Sequence, residues 1–198
     1  MERQMIISIG REFGSGGHEI AEKLAAIYGL PFYDRDLLKH VSEERNLHVD
    51  SLRKFDEKPR NKWLTRTEKG LVSSAAYNVA QLQFQFLKDK AKAGESFVIV
   101  GRCAETVLKE YEGLIAIHIV GDMDKKIART AEMFHISEKK AEQMIEETDR
   151  RRKQYHDSYS DFKWGDVRGY DISINSSRLG IDGTVEILSK YIDARIKP

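Results

Sequence analysis

The chain has 198 residues, of which 33 are Lys or Arg and 32 are Asp or Glu, for a net charge of +1. That length supports one domain with a sizeable core, and the balanced charge sets up no global field to recruit nucleic acid or a membrane surface. The lone Cys103 excludes an intrachain disulfide and suits a reducing compartment. No apolar run approaches the roughly 18 residues of a membrane span and no leader pattern is read, so a soluble, cytoplasmic protein is expected.

Residues 5–9 (Met-Ile-Ile-Ser-Ile) predict a buried first strand, because β-branched residues dominate and the run ends at Gly10. From Gly17, the residues Ile20, Ala21, Leu24, Ala25, Ile27 and Tyr28 recur at helical spacing, with Gly29 as the stop. Residues 30–33 form a short second strand ending at Asp34-Arg35-Asp36, and 36–46 read as a helix. A charged stretch follows, containing Pro59 and Trp63. The stripe Leu71, Ala75, Val79, Leu82 and Phe86 then predicts a long helix. Residues 96–100 are the third strand, ending at Gly101-Arg102, and 114–120 the fourth. Residues 125–134 and 138–156 predict two charged helices separated by a turn whose Ser137 is the N-cap. Residues 170–175 are the fifth strand and 183–191 the closing helix. Five short apolar strands separated by helices imply an α/β fold, a parallel sheet covered on both faces. Ligands of such sheets bind beyond the strand C-termini.

The segment 6–18 (Ile-Ile-Ser-Ile-Gly-Arg-Glu-Phe-Gly-Ser-Gly-Gly-His) carries most of the chemistry. A strand running through a glycine-rich turn into a helix is an anion cradle, since backbone N–H groups converge where the helix dipole is positive. Gly10, Gly14, Gly16 and Gly17 let the backbone approach a phosphate, and Ser15 could add its hydroxyl. The P-loop pattern G-x-x-x-x-G-K-[ST] is not met, because Gly17 stands in place of Lys and His18 in place of Ser or Thr. Arg11 is the nearest replacement cation, although a guanidinium contacts different oxygens from an ammonium.

Other candidates lie at other strand ends. Arg102 can grip a phosphate or carboxylate bidentately, or pair with an acid such as Asp34. Asp34 can hold Mg²⁺ through water or accept a hydrogen bond from the attacking group, whereas Asp36 better fits a helix N-cap. Arg129, Arg150 and Arg152 lie on the two charged helices, where closing arginines stabilise a transferred phosphoryl group. A solvated helix with Glu146–Arg150 and Glu147–Arg151 pairs is the alternative. The histidines show no metal-ligand spacing and Cys103 lacks a CxxC partner. Tyr33, Trp63, Phe84 and Trp164 could stack on a base or pack internally, and the stripe 71–86, with Phe84 and Trp63 exposed, could form a homodimer contact or pack internally.

Together, Ile-Ser-Ile-Gly-Arg-Glu-Phe-Gly-Ser-Gly-Gly at 7–17, Pro-Phe-Tyr-Asp-Arg-Asp-Leu-Leu at 31–38 and Val-Ile-Val-Gly-Arg-Cys-Ala at 98–104 resemble the cytidylate kinase-like family of P-loop nucleoside monophosphate kinases. The segment 149–155 and the tract from Trp164 to Gly183 extend the resemblance to nearly the whole chain. It implies a three-layer α/β/α P-loop domain with a five-stranded parallel sheet of order 2-3-1-4-5. It also implies a helical monophosphate-binding insert at about 36–94 and an arginine-bearing lid at about 123–165. ATP phosphates would lie on residues 14–18, with Asp34, Arg35 and Arg102 facing the acceptor. Arg129, Arg150 and Arg152 would close over the phosphates, with Mg²⁺ held by ATP rather than by a side-chain motif. The implied reaction phosphorylates a nucleoside monophosphate such as CMP or dCMP. The lysine-less loop leaves open a catalytically weak nucleotide or phosphate sensor.

Overall fold

The computed structural model describes residues 4–34, 36–45, 67–68, 71–72 and 75–196. β1 (Ile6–Arg11) leads through the glycine loop into α1 (Gly17–Tyr28), then β2 (Phe32–Tyr33) and α2 (Leu37–Arg45). A short antiparallel pair, β3 (Thr67–Glu68) and β4 (Leu71–Val72), precedes α3 (Ala75–Lys92). β5 (Phe97–Val100), the one-turn α4 (Ala104–Val107) and β6 (Leu114–Val120) follow. Two charged helices, α5 (Met123–Phe134) and α6 (Glu138–Tyr159), then lead through a 3₁₀ turn (Val167–Gly169) to β7 (Ile172–Asn175) and α7 (Ser176–Ile196).

The main sheet has the order β2-β5-β1-β6-β7 with every pairing parallel, which is 2-3-1-4-5 counting its own strands. Parallel strands need both faces covered, hence the continuous apolar runs. Ile7, Ile9, Val98 and Ile117 pack with Ile20 and Leu24 of α1 and Leu188 and Ile192 of α7. On the other face Ile6, Phe97 and Ile99 meet Leu37 and Val41 of α2 and Phe86 and Leu87 of α3. Each fully buried aliphatic side chain contributes about 1.5–3 kcal/mol relative to exposure. A third cluster, Ala80, Phe84, Cys103 and Tyr155, joins α3 to α6.

Several expectations need correction. Leu71 lies in β4, so the helical stripe starts at Ala75. Phe84 is 8% exposed and packs edge-on against Tyr159, making it interior rather than a surface aromatic. Tyr33 likewise packs into the apolar cluster, against Phe86 and Phe97. Asp36 does hold the N-cap position of α2, its carbonyl accepting the Lys39 N–H at 2.8 Å, and Asp34 Oδ1 braces the turn by accepting the Asp36 N–H at 2.8 Å. The last strand starts at Ile172, and the closing helix spans Ser176–Ile196 with a break at Gly180 (φ 68°, ψ −177°). Ser137 does cap α6, accepting the Lys140 N–H, and Gly29 ends α1 in the left-handed conformation. Trp63 and Arg35 lie outside the described residues.

Candidate active site

The loop after β1 is held from three directions. The Glu12 N–H extends the sheet by donating to Ile119 O at 3.0 Å, and the Phe13 N–H donates to Asp149 Oδ1 on α6 at 2.7 Å. The Ser15 hydroxyl donates to Glu12 O at 2.8 Å, and Ser176 at the start of α7 donates to Ser15 O at 2.6 Å. Ser15 therefore braces the loop through both its hydroxyl and its carbonyl. Gly14 and Gly16 have φ of 78° and 76°, a region costly for any residue with a β-carbon. From Gly14 to Glu19, no N–H is paired with a protein acceptor among the described residues. Six successive donors thus open at the N-terminus of a 12-residue helix, where anions bind.

Behind this cradle lies a buried charge knot. Lys126, 4% exposed, sets Nζ 2.9 Å from Glu12 Oε2 and 3.6 Å from Asp149 Oδ2. Arg152 Nη1 lies 3.8 Å from Asp149 and donates to Arg11 O at 3.3 Å, with its guanidinium over the Phe13 ring. Burial raises the Asp149 pKa despite these cations and the Phe13 N–H, so desolvation outweighs the favourable contacts. Arg129 pairs with Glu19 at 2.6 Å, and its Cζ is 3.8 Å from where a Gly16 β-carbon would lie. Arg129 and Arg152 therefore meet the loop, whereas Arg150 and Arg151 are exposed. Neither Glu146–Arg150 nor Glu147–Arg151 is recorded as an ion pair among the described residues.

At the rim, His18 Nε2 and Asp34 Oδ2 are 2.7 Å apart, and Phe32 packs edge-on against the imidazole. Next to the loop a narrow cleft runs from Gly10 and Arg11 to Gly101, Arg102 and Arg152. Gly101, Arg102 and Cys103 have φ of 79°, 61° and 52°. Two non-glycine residues in this region store about 1–3 kcal/mol each, and such strain clusters at functional sites. The turn buries Arg102, 3% exposed, instead of extending it into solvent.

The far wall of the cleft, Trp164 apart, was not anticipated from the sequence. It comprises Glu105, Tyr155, His156, Trp164 and Tyr170. His156 Nε2 and Glu105 Oε1, both buried, are 3.0 Å apart. Beneath lies His118, its ring 4.7 Å from that of Tyr170 and edge-on to Trp164. Burial lowers the His118 pKa to about 4 and raises that of the Tyr170 phenol. The available signal was polar residues at interior positions of otherwise apolar runs, His118 within β6 above all. A larger cavity of ≈ 400 Å³ opens near the start of β6. Its Lys109 and Arg195 are matched by Asp161 and Asp171, and it lies away from the strand C-termini where such sheets bind ligands.

A parallel sheet of this order, with a row of unaccepted N–H groups in the glycine loop after β1 and arginines at adjacent strand ends, defines a kinase-like nucleotide-binding protein of the P-loop type. The chain belongs to the cytidylate kinase-like family, whose pattern it matches over residues 6–178. Among solved structures it is similar to an uncharacterized protein from Eubacterium ventriosum, at 38% identity and TM-score 0.77, over 96% of this chain and 99% of that one. Similarity in fold alone extends to a shikimate kinase from Bacteroides thetaiotaomicron, at 13% identity, TM-score 0.56 and 96% and 98% coverage. It extends also to a gluconokinase from Sinorhizobium meliloti, at 12% identity, TM-score 0.51 and 99% and 93% coverage. No curated protein matches. Among the described residues no helix is long and apolar enough to cross a membrane.

Proposed function

We propose that the protein transfers the γ-phosphoryl group of ATP to a small anionic acceptor, with CMP and dCMP the first candidates. The observation that carries this reading is the row of six unaccepted N–H groups, residues 14–19, beside a cleft lined by Arg11, Arg102 and Arg152. The row is a fixed anion site, and the arginines give the cleft its affinity for a second anion.

In this reading residues 14–18 seat the ATP phosphates, and Gly10, next to them, lets His118 and Tyr170 pack against the end of β1. Arg129 and Arg152 neutralise charge on the transferred group, Arg11 and Arg102 face both partners, and Asp34 with Arg35 orients the acceptor. The cleft holds a free volume of only ≈ 30 Å³, about that of one water, so its walls part for an acceptor to enter. Residues 36–94 serve as the monophosphate-binding insert and 123–165 as the closing lid, the movement that brings exposed Arg150 over the phosphates. Mg²⁺ would be held by the ATP phosphates, with Asp34 reaching it through water, while the His18 nitrogen, hydrogen-bonded to Asp34 at 2.7 Å, suits so hard an ion poorly. When bound with ATP, the ion neutralises β- and γ-oxygen charge. The protein is read as cytoplasmic and as acting on small molecules rather than nucleic acid.

A second reading, a phosphate sensor without turnover, is favoured by the occupied state of Asp34, whose two oxygens already engage His18 and the Asp36 N–H. Incubating the protein with ATP, Mg²⁺ and a panel of monophosphates and small hydroxy acids, with ADP formation followed, separates the two. Acceptor-dependent ADP supports the kinase. ATP binding by calorimetry with no ADP above background across the panel supports the sensor, and no ATP binding removes both.

A further inference from the structure

Taking Gly16 as the sixth residue of G-x-x-x-x-G-K-[ST] sets the lysine position at Gly17 and the first-glycine position at Arg11. The two departures are therefore complementary: a cation stands where the pattern has glycine, and glycine where it has a cation. A β-carbon built on Gly17 would lie 2.6 Å from Cβ and 3.1 Å from Cγ of Arg11, so the Arg11 stem fills the space a residue-17 side chain would leave by. The guanidinium then rests against Gly101, where a β-carbon would collide with Nη1 and lie 3.3 Å from Cζ. Gly17 is buried, and Ile119 closes the remaining side at 3.4 Å from that same β-carbon position.

We propose that Arg11 and Gly17 are a reciprocal exchange: Arg11 supplies from the end of β1 the polyphosphate-binding cation that the usual lysine supplies from the start of α1. Gly17 and Gly101 lack side chains so that Arg11 can cross the loop. The exchange also changes the ligand geometry. A lysine is a point charge, whereas a guanidinium presents a planar fork to two oxygens at once. Its fork sits in the cleft with Arg102 and Arg152, which biases it toward the terminal phosphate and the acceptor rather than toward the inner phosphates.

This inference rests on the loop being the polyphosphate seat, and its test separates the two. Wild type, Arg11→Gly, Gly17→Lys and the double variant are compared by thermal melting without ligand and by calorimetry with Mg²⁺–ATP. Gly17→Lys should melt at least about 4 °C lower, since its stem meets that of Arg11, and the double variant should recover most of that loss. Arg11→Gly should bind ATP about 10- to 100-fold more weakly, the worth of one charge-assisted contact, and the double variant should return to within about threefold of wild type. A melting point for Gly17→Lys equal to wild type, or no recovery in the double variant, overturns the steric exchange. Unchanged ATP affinity in Arg11→Gly overturns the cation role. Failure of the wild type itself to bind ATP removes the proposed function and the cation role together, while the melting cycle still decides whether the two positions share one space.

Discussion

Replacing Lys126 with Met removes the only buried cation recorded on Glu12 among the described residues and leaves Glu12 and Asp149 confined behind the loop. At an effective dielectric of about 20, the 2.9 Å and 3.6 Å contacts are each worth about 5–6 kcal/mol of Coulomb attraction. Relief of the lysine's own desolvation and partial solvent screening of Glu12, whose side chain is 28% exposed, offset much of this. Breaking such a pair costs about 3–5 kcal/mol. For a chain of this size that predicts a melting temperature lower by about 6–20 °C. Glu12→Gln added to Lys126→Met should restore part of the loss, because it removes the carboxylate charge left without Lys126, whereas Asp149 keeps Arg152 and the Phe13 N–H. Thermal melting at pH 7 followed by circular dichroism measures both. A Lys126→Met protein melting within about 2 °C of wild type, or a double variant no better than the single, would refute the charge-knot argument.

Three further outcomes are expected. His118 has its folded pKa depressed from 6.5 to about 4. The unfolded chain therefore takes up its proton first, and the stability contributed by neutral His118 is intact above about pH 6.5 and lost as pH falls toward 4, by about 3 kcal/mol. Urea unfolding from pH 7 to 4 should show that slope in wild type and a reduced slope in His118→Gln. Gly14→Ala places a β-carbon 2.8 Å from Thr130 Oγ1 and 3.0 Å from Lys126 O at φ 78°, so differential scanning calorimetry should register a loss of about 2–4 kcal/mol; a stabilised variant would mean the loop does not press on α5. His18 puts an imidazole where the P-loop pattern has a hydroxyl, which favours Mn²⁺ over Mg²⁺. Competition measured by Mn²⁺ paramagnetic resonance with ATP should show His18→Ser losing roughly tenfold in Mn²⁺ preference, and identical ion preference in both proteins would exclude His18 as a ligand.

Local chemistry made much of the fold legible before any coordinates. Short runs of Ile and Val that end at glycine read as strands buried on both faces, the 3.6-residue spacing after Gly17 serves one apolar face, and glycine at 29 stops a helix because it enters the left-handed region freely. The glycine loop was legible for the same reason, since its function lies in backbone conformation. The insert was harder to read: Leu71 continues the helical stripe, but short-range antiparallel pairing with Glu68 claims it for a strand.

Which side chains share a space is settled by packing alone. Four consecutive cations at 150–153 look alike in sequence, yet helix rotation turns Arg152 onto the loop and leaves Arg150 in solvent. Glu105, His156 and Tyr170 carry no local pattern because they converge from three segments far apart in the chain. The Arg11–Gly17 relation is invisible as well, since it depends on a strand end and a helix start crossing within a few ångströms. Most strands, the helices and the glycine-rich turn are written in the order of residues, because they follow from nearest-neighbour backbone and burial preferences. The cleft and its charge balance were set by packing, because electrostatics depends on distance through space and not along the chain.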